Sequence, residues 1–376
     1  MDFDFSEEQR LLGESVARFV ADRYDFESRL KAMQAPGGWS RDAWRDLAEL
    51  GLLALPFAEE DGGFGGGGVE TMVVMEALGR GLVLEPYLAT VVLAGGVLRH
   101  GASAKQRAAR LPGVMAGEHL MAFAHQEPEA PRHALSASSR ATRAGDGWML
   151  AGSKIAVVHG ADADELVVSA ATAAGLSLFL VPTSARGVSR RARSGYDGVP
   201  LADVEFEQVE LPADALIGVD GLGAAILERV FEEANAALAA EAVGIMAETL
   251  DLTTDYLKTR TQFGVPIGTF QALQHRAVDM LIQLELARSM AILAALSLDQ
   301  PAETRSRNIA AAKVQIGRSG RMIGQQAVQL HGAIGITAEY KVGHAFKRLT
   351  AIDALFGDAD HHLDALAEAG GLITVA

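Results

Sequence analysis

At 376 residues the chain has material for two or three domains, or for one large domain with an ample core. Its 49% hydrophobic and 22% charged content is that of a globular protein. A formal net charge of −15 argues against nucleic acid or an anionic membrane surface as the principal partner, and the absence of cysteine excludes disulfides, thiol nucleophiles and thiolate metal sites. Local arginines can still form an anion pocket in such a chain.

The first residues, Met1-Asp2-Phe3-Asp4-Phe5, are acidic and lack the basic and apolar regions of a signal peptide. No run of ~18 uncharged apolar residues follows. A soluble, cytoplasmic protein is expected. Ser6-Glu7-Glu8-Gln9 reads as a capping box, behind which Leu11, Leu12, Val16, Phe19 and Val20 keep a helical period. Ser40 opens another helix, with Trp44, Leu47 and Leu50 inward and Gly51 as its stop. Gly62 to Gly68, broken only by Phe64, is a loop. No clear strand precedes it, so a phosphate cradle is not expected there.

From about residue 121 the period changes. Trp148 to Leu150, Glu165 to Val168, Leu176 to Val181 and Val204 to Val209 are short, rich in β-branched or large apolar residues, and punctuated by Gly, Asp or Pro. No long helix intervenes to make parallel crossovers, which predicts an antiparallel barrel or sandwich. The helical period returns after Gly223 and holds almost to the end. Three domains follow: helical (residues 1–120), β (121–222) and helical again (223–376).

One segment says most about function. Tyr256-Leu257-Lys258-Thr259-Arg260-Thr261-Gln262-Phe263-Gly264-Val265-Pro266-Ile267, followed by Phe270-Gln271, reads as a helix ending in Arg, a turn at Gly264-Val265-Pro266, and a second helix opening near Thr269. An arginine beside such a turn suits phosphate, although it could equally neutralise its own helix C-terminus. The wording resembles the R-x-Q-F-G-x-P-I…F-Q signature of the acyl-CoA dehydrogenases, a family of flavin enzymes. Gln329-Leu330-His331-Gly332-Ala333-Ile334-Gly335 is similar to the Q-x-x-G-G-x-G stretch of that family, and residues 198–218 resemble the strand leading into its last helical domain.

The resemblance covers nearly the whole chain. It implies an α+β fold: an N-terminal helical domain, a central antiparallel β domain and a C-terminal four-helix bundle. It implies FAD as cofactor, an acyl-CoA thioester as substrate, a trans-2-enoyl-CoA as product and an electron-transfer acceptor. Flavin is expected at a subunit interface of a homodimer or homotetramer, or of a hetero-oligomer. The matching cofactor positions are Arg260, Gln262, Phe263, Phe270 and Gln271, then Gln329, His331, Gly332 and Ala333, with Phe123, Gln126, Val157 and Val158 in the central domain.

The central domain departs from the family. The usual T-E-P-x-x-G-S-D becomes Gln126-Glu127-Pro128-Glu129-Ala130-Pro131-Arg132-His133, and the usual K-x-W-I-T becomes Lys154-Ile155-Ala156-Val157-Val158. Backbone N–H groups at 157 and 158 could still bond a flavin ring, and Arg132 could stand in as a phosphate donor. The base departs too. Aligned on Phe346-Lys347-Arg348, the family's Y-E-G-T becomes Leu355-Phe356-Gly357-Asp358-Ala359, with Gly357 at the Glu position and Asp358 one residue off.

Glu241 is the other carboxylate to consider. Ala236 to Ala247 is apolar except for Glu241 and Gly244, so this helix is predicted to be buried all round. A lone carboxylate there would have its pKa raised by desolvation, as a proton acceptor near neutral pH requires. It lies two turns beyond the position, near Ala234, that carries the base in some family members. The alternative is a buried Glu paired with an Arg for structure.

Arg190-Arg191-Ala192-Arg193 is expected in a solvated loop, with CoA phosphates as the other possibility. His361 and His362 are adjacent and expected to point apart, and no metal is predicted. Two further functions remain open: a non-catalytic or flavin-poor subunit of a hetero-oligomer, and a nitroalkane oxidase-like enzyme using Asp358.

Overall fold

The computed structural model describes residues 5–128, 130–131 and 134–370. Helices come first: α1 (Glu7–Arg23), α2 (Phe26–Gln34), α3 (Arg41–Glu49) and α4 (Gly68–Gly81). A π-helical stretch, Tyr87–Ala94, then runs into α5 (Gly95–Gly101), and α6 covers Ala104–Met115. Ser6 and Gln9 close the capping box on α1, and Ser40 caps α3. Trp44 and Leu47 are buried as expected, whereas Leu50 is exposed because α3 ends there.

The sheet follows: β1 (Met121–Ala124), β2 (Arg140–Ala144), β3 (Gly147–Val158), β4 (Glu165–Ala171), β5 (Leu176–Pro182), β6 (Val188–Ser194), β7 (Pro200–Leu211) and β8 (Leu216–Ile217). Its order is β6-β7-β3-β2-β4-β5-β8, with β1 against β4. Most pairs are antiparallel, but β1 and β4 run parallel, Met121 opposite Glu165. The β2–β3 hairpin lies between them in sequence and supplies the crossover that parallel pairing needs. Arg190 to Arg193 lie on the edge strand β6 rather than in a loop. Arg191 and Arg193 pair with Asp203 on β7, and Arg190 bonds the carbonyls of Gly160, Ala161 and Ala163.

The last part holds α7 (Gly223–Thr259), a small hairpin β9 (Thr261–Gln262) and β10 (Val265–Pro266), then α8 (Gln271–Ser297), α9 (Ala302–His331), α10 (Lys341–Ala354) and α11 (Ala359–Glu368). Contacts group the chain into two compact units. One comprises residues 1–29, 68–83 and 235–376, and the other residues 30–67 and 84–234.

Within the first unit, α7 is buried nearly all round from Asn235 to Leu250. Glycines let its backbone touch that of α4: a Cβ on Gly244 would collide with Glu76 O, and one on Gly79 with Glu241 O. Helix α8 is long and apolar enough, by length and composition, to cross a membrane. One side of it buries Met280, Leu284, Ala287 and Ala291; the other exposes Val278, Leu281, Ile282 and Leu286.

Candidate active site and cofactor contacts

The Arg260 segment is held out from the body of the fold. Helix α7 ends at Thr259, and β9 and β10 form a hairpin closed at Phe263 and Gly264, with φ of +54° and +83°. Two successive positive φ values define the primed turn that matches strand twist. The turn therefore sits one residue earlier than Gly264-Val265-Pro266, and α8 opens at Gln271 after a short 3₁₀ turn. A positive φ at a phenylalanine is costly, which marks this tip as a constrained one.

Phe263 is 91% exposed, its ring edge-on to Phe270 at 6.1 Å. Arg260, Gln262 and Gln271 are also exposed, and the Arg260 guanidinium has no ion pair among the described residues. Five donors and a bare aromatic ring presented outward are what an anionic, planar ligand would use.

At the end of α9 the expectations divide. Gln329, Gly332 and Ala333 are exposed, and Gly332 takes φ +66° and ψ −141°, a backbone state open essentially to glycine alone. A Cβ there would meet nothing within 4 Å, so conformation is what demands this glycine. His331 is different. Its side chain is buried between Tyr256 and Tyr340, with ring centroids at 4.5 and 5.0 Å, so the imidazole is not a surface contact.

The central-domain positions close on themselves. Glu127 is buried and accepts from Lys154 Nζ at 2.7 Å, from both Ser139 N and Ser139 Oγ, and from Ser138. Burial pushes its carboxyl up, but the hydrogen bonds from Lys154, Ser138 and Ser139 outweigh this and hold it well below the usual range. Burial in turn lowers Lys154 to about 8, with Glu127 pulling the other way. His125 bonds Ser169 Oγ and Ala134 O, and burial lowers its pKa to about 4, so it stays neutral. Phe123 stacks on His125 at 5.5 Å.

Gln126 spends both donors of its amide on Glu127 O and Ala130 O. The segment that offers hydroxyls to flavin in the family is thus internally bonded in this chain, and Arg132 lies outside the described residues. Strand β3 leaves one backbone group open. Ala156 has φ +51° at a bulge, and His159 N bonds Pro200 O. Alternation along the ladder then turns Val157 N–H toward β7 and Val158 N–H away from it, toward an edge that β2 leaves unpaired beyond Ala151.

Neither candidate base is free. Glu241 is not an isolated carboxylate, as its apolar helix suggested. Arg348, on α10, holds it bidentately, Nε to Oε1 at 2.6 Å and Nη2 to Oε2 at 2.9 Å, and both side chains are buried. Asp358 is exposed and caps α11, accepting His361 N at 2.8 Å, and that hydrogen bond lowers its carboxyl. His361 and His362 do not point apart; their rings meet edge to face at 5.0 Å.

The backbone at the expected base position is constrained as well. Gly357 has φ +96°, and a Cβ on it would collide with the His361 ring and lie 2.9 Å from His362 Nε2. A side chain at Gly357 would thus be both strained and crowded, and its neighbour Phe356 also holds a positive φ, +53°. Neither residue carries a carboxylate. Sequence reasoning missed Lys313, which is buried on α9 and donates to the carbonyls of Ile352, Asp353, Leu355 and Gly357 at 2.8–3.0 Å. It ties down this loop. An unpaired lysine in the helical run Ile309 to Ile316 was its only signal.

Residues 6–118, 122–209 and 221–371 match the acyl-CoA dehydrogenase N-terminal, middle and C-terminal domain models. The chain belongs to the acyl-CoA dehydrogenase family, FAD-dependent oxidoreductases with this helix–sheet–helix fold. It is 30% identical over 367 residues to the glutaryl-CoA dehydrogenase of Desulfococcus multivorans, covering 92% of each chain. Among solved structures it is similar to a chain of the ChsE4-ChsE5 complex from Mycobacterium tuberculosis, with a TM-score of 0.89 and 26% identity over 100% of this chain and 100% of that one. PigA with FAD and proline superposes with a TM-score of 0.91 at 27% identity, over 99% of this chain and 100% of that one.

Proposed function

We propose that the chain serves α,β-dehydrogenation of an acyl-CoA thioester as one subunit of a two-chain enzyme, whose unlike partner supplies the proton-abstracting carboxylate. The observation that carries this is the state of the carboxylates. Gly357 stands at the base position, Ala234 at the alternative one, Glu241 is locked by Arg348 and Asp358 caps a helix. Loss of the α-proton needs a free base within hydrogen-bond reach, and none of these groups offers one. The internally bonded Gln126 segment and the likeness to the ChsE4-ChsE5 complex support the same reading.

FAD, when bound, accepts the hydride that leaves the β-carbon. This chain's part is to hold it. If FAD binds, Arg260 would offer its fork of donors to phosphate, Phe263 and Phe270 flat apolar contact, and the Gly332–Ala333 turn exposed backbone. In the other unit the Val158 N–H would be open to a flavin ring. An external electron acceptor would be needed to reoxidise the cofactor. Asp358 used as a helix cap gives a nitroalkane-oxidising chemistry no geometric support.

Purification of the chain alone, with flavin quantified against protein and acyl-CoA oxidation assayed over several chain lengths, tests the proposal. The expected result is well under one FAD per chain and no turnover. A fully loaded yellow protein that turns over by itself would sink the two-chain reading and leave a self-sufficient homo-oligomeric dehydrogenase.

A further inference from the structure

We propose that His331 is a positioning residue: a buried imidazole clasp that fixes the Arg260 hairpin and the Gly332 turn in one arrangement for binding FAD. The inference rests on the reading, made above, that these two segments receive the phosphate end of FAD.

His331 is the last residue of α9, directly before Gly332. Tyr256 stacks on its ring at 28° between planes, and Tyr340, just before α10, covers it at 50°. Tyr256 lies one helical turn ahead of Arg260 and its carbonyl accepts the Arg260 N–H at 2.8 Å, so the histidine grips the residue from which the hairpin departs. Tyr256 is 75 residues from His331 and 84 from Tyr340 in the sequence, and no strand or ion pair among the described residues links Arg260 to Gly332.

The tautomer follows from the partners. Nδ1 is 2.9 Å from Ala327 O, which can only accept, so Nδ1 carries the proton. Nε2 then accepts from Tyr340 Oη at 3.2 Å. The groups facing the ring are Tyr256 and the Leu252 carbonyl from α7 and Tyr340 ahead of α10, with Asp255 acting on Tyr340. No carboxylate hydrogen-bonds the ring among the described residues, and burial lowers the His331 pKa. Protonation would therefore reverse the Tyr340 hydrogen bond and leave a cation in the clasp without an anionic partner.

The test is an equilibrium titration of the flavin-stripped enzyme, in the assembly in which it purifies, with FAD. His331→Ala, Arg260→Ala and the double variant are compared at pH 8. His331→Ala should weaken FAD binding about tenfold or more, and the double variant should be hardly weaker than Arg260→Ala, because both act through one contact. Tyr340→Phe, which removes one hydroxyl and leaves the packing, should give a smaller loss in the same direction. At pH below the ordinary imidazole range wild-type affinity should fall, because burial lowers the His331 pKa, and in His331→Phe that part of the acid loss should be missing.

Undiminished affinity in His331→Ala and Tyr340→Phe, or strictly additive losses with Arg260→Ala, would overturn the clasp. If His331→Ala fails to fold, Tyr340→Phe and the pH dependence of His331→Phe decide. If Arg260→Ala itself binds FAD normally, the assignment of the segment to FAD has failed, whatever His331 does.

Discussion

The Arg260 hairpin and the Gln126–Ser139 segment both resemble stretches that hold the cofactor in the family, yet they stand in opposite physical states. At the hairpin a guanidinium lacks an ion-pair partner among the described residues, a phenylalanine is almost wholly in water, and the turn holds a costly backbone angle. At the other segment every named polar group is engaged. Glu127 takes Lys154 and two serines, His125 spans Ser169 and Ala134, and Gln126 bonds its own loop. A surface that wastes contacts in isolation is shaped for a ligand or neighbour, whereas one that satisfies itself is shaped for the fold.

If that contrast is right, the two regions should respond to substitution in opposite ways. Lys154→Met removes the partner of a buried carboxylate and should cost about 3–5 kcal/mol of stability, read by urea denaturation. A loss under about 1 kcal/mol would mean that the loop is looser than its hydrogen bonds suggest.

Glu241→Gln tests the same principle on α7. It keeps size but breaks a charge-assisted bidentate pair, so about 1.5–3 kcal/mol should be lost. Glu241→Leu combined with Arg348→Met should recover much of the loss from either single change, since an apolar pair avoids desolvation altogether. Acyl-CoA oxidation per bound flavin, in the complete enzyme, should not change in Glu241→Gln. A rate drop of ~10²-fold or more with stability intact would restore Glu241 as the base.

The smallest effect on stability is expected at the hairpin. Arg260→Ala should shift the denaturation midpoint by less than ~0.5 kcal/mol equivalent, because the side chain is exposed and has no ion pair among the described residues. A larger shift would make Arg260 a structural residue and erase the contrast.

Much of this was legible because it is local. Capping boxes declare themselves within four residues, and the signature around Arg260 is a run of neighbours whose order survives divergence. The Phe263-Gly264 turn was misplaced by one residue because Gly-Val-Pro is the stronger breaker on paper. Only the pairing of Thr261 with Pro266 closes the hairpin earlier. Arg190 to Arg193 looked like a solvated loop because charge hides a strand whose facing residues, Asp203 among them, come from β7. The parallel pairing of β1 with β4 was hidden for the same reason: a strand's own residues do not name its neighbour.

Glu241 shows where the boundary falls. The sequence by itself determined that a carboxylate would lie inside an apolar helix, because periodicity fixes which faces are buried. Only the tertiary structure decided what that carboxylate does, because Arg348 is 107 residues away and reaches it through the packing of α10. The same holds for Gly357, whose positive φ and histidine neighbours leave no room for a side chain, and for His331, whose two tyrosines bury a side chain expected at the cofactor. Burial is a property of one segment's pattern, whereas charge state and role depend on partners that the chain brings together only when folded.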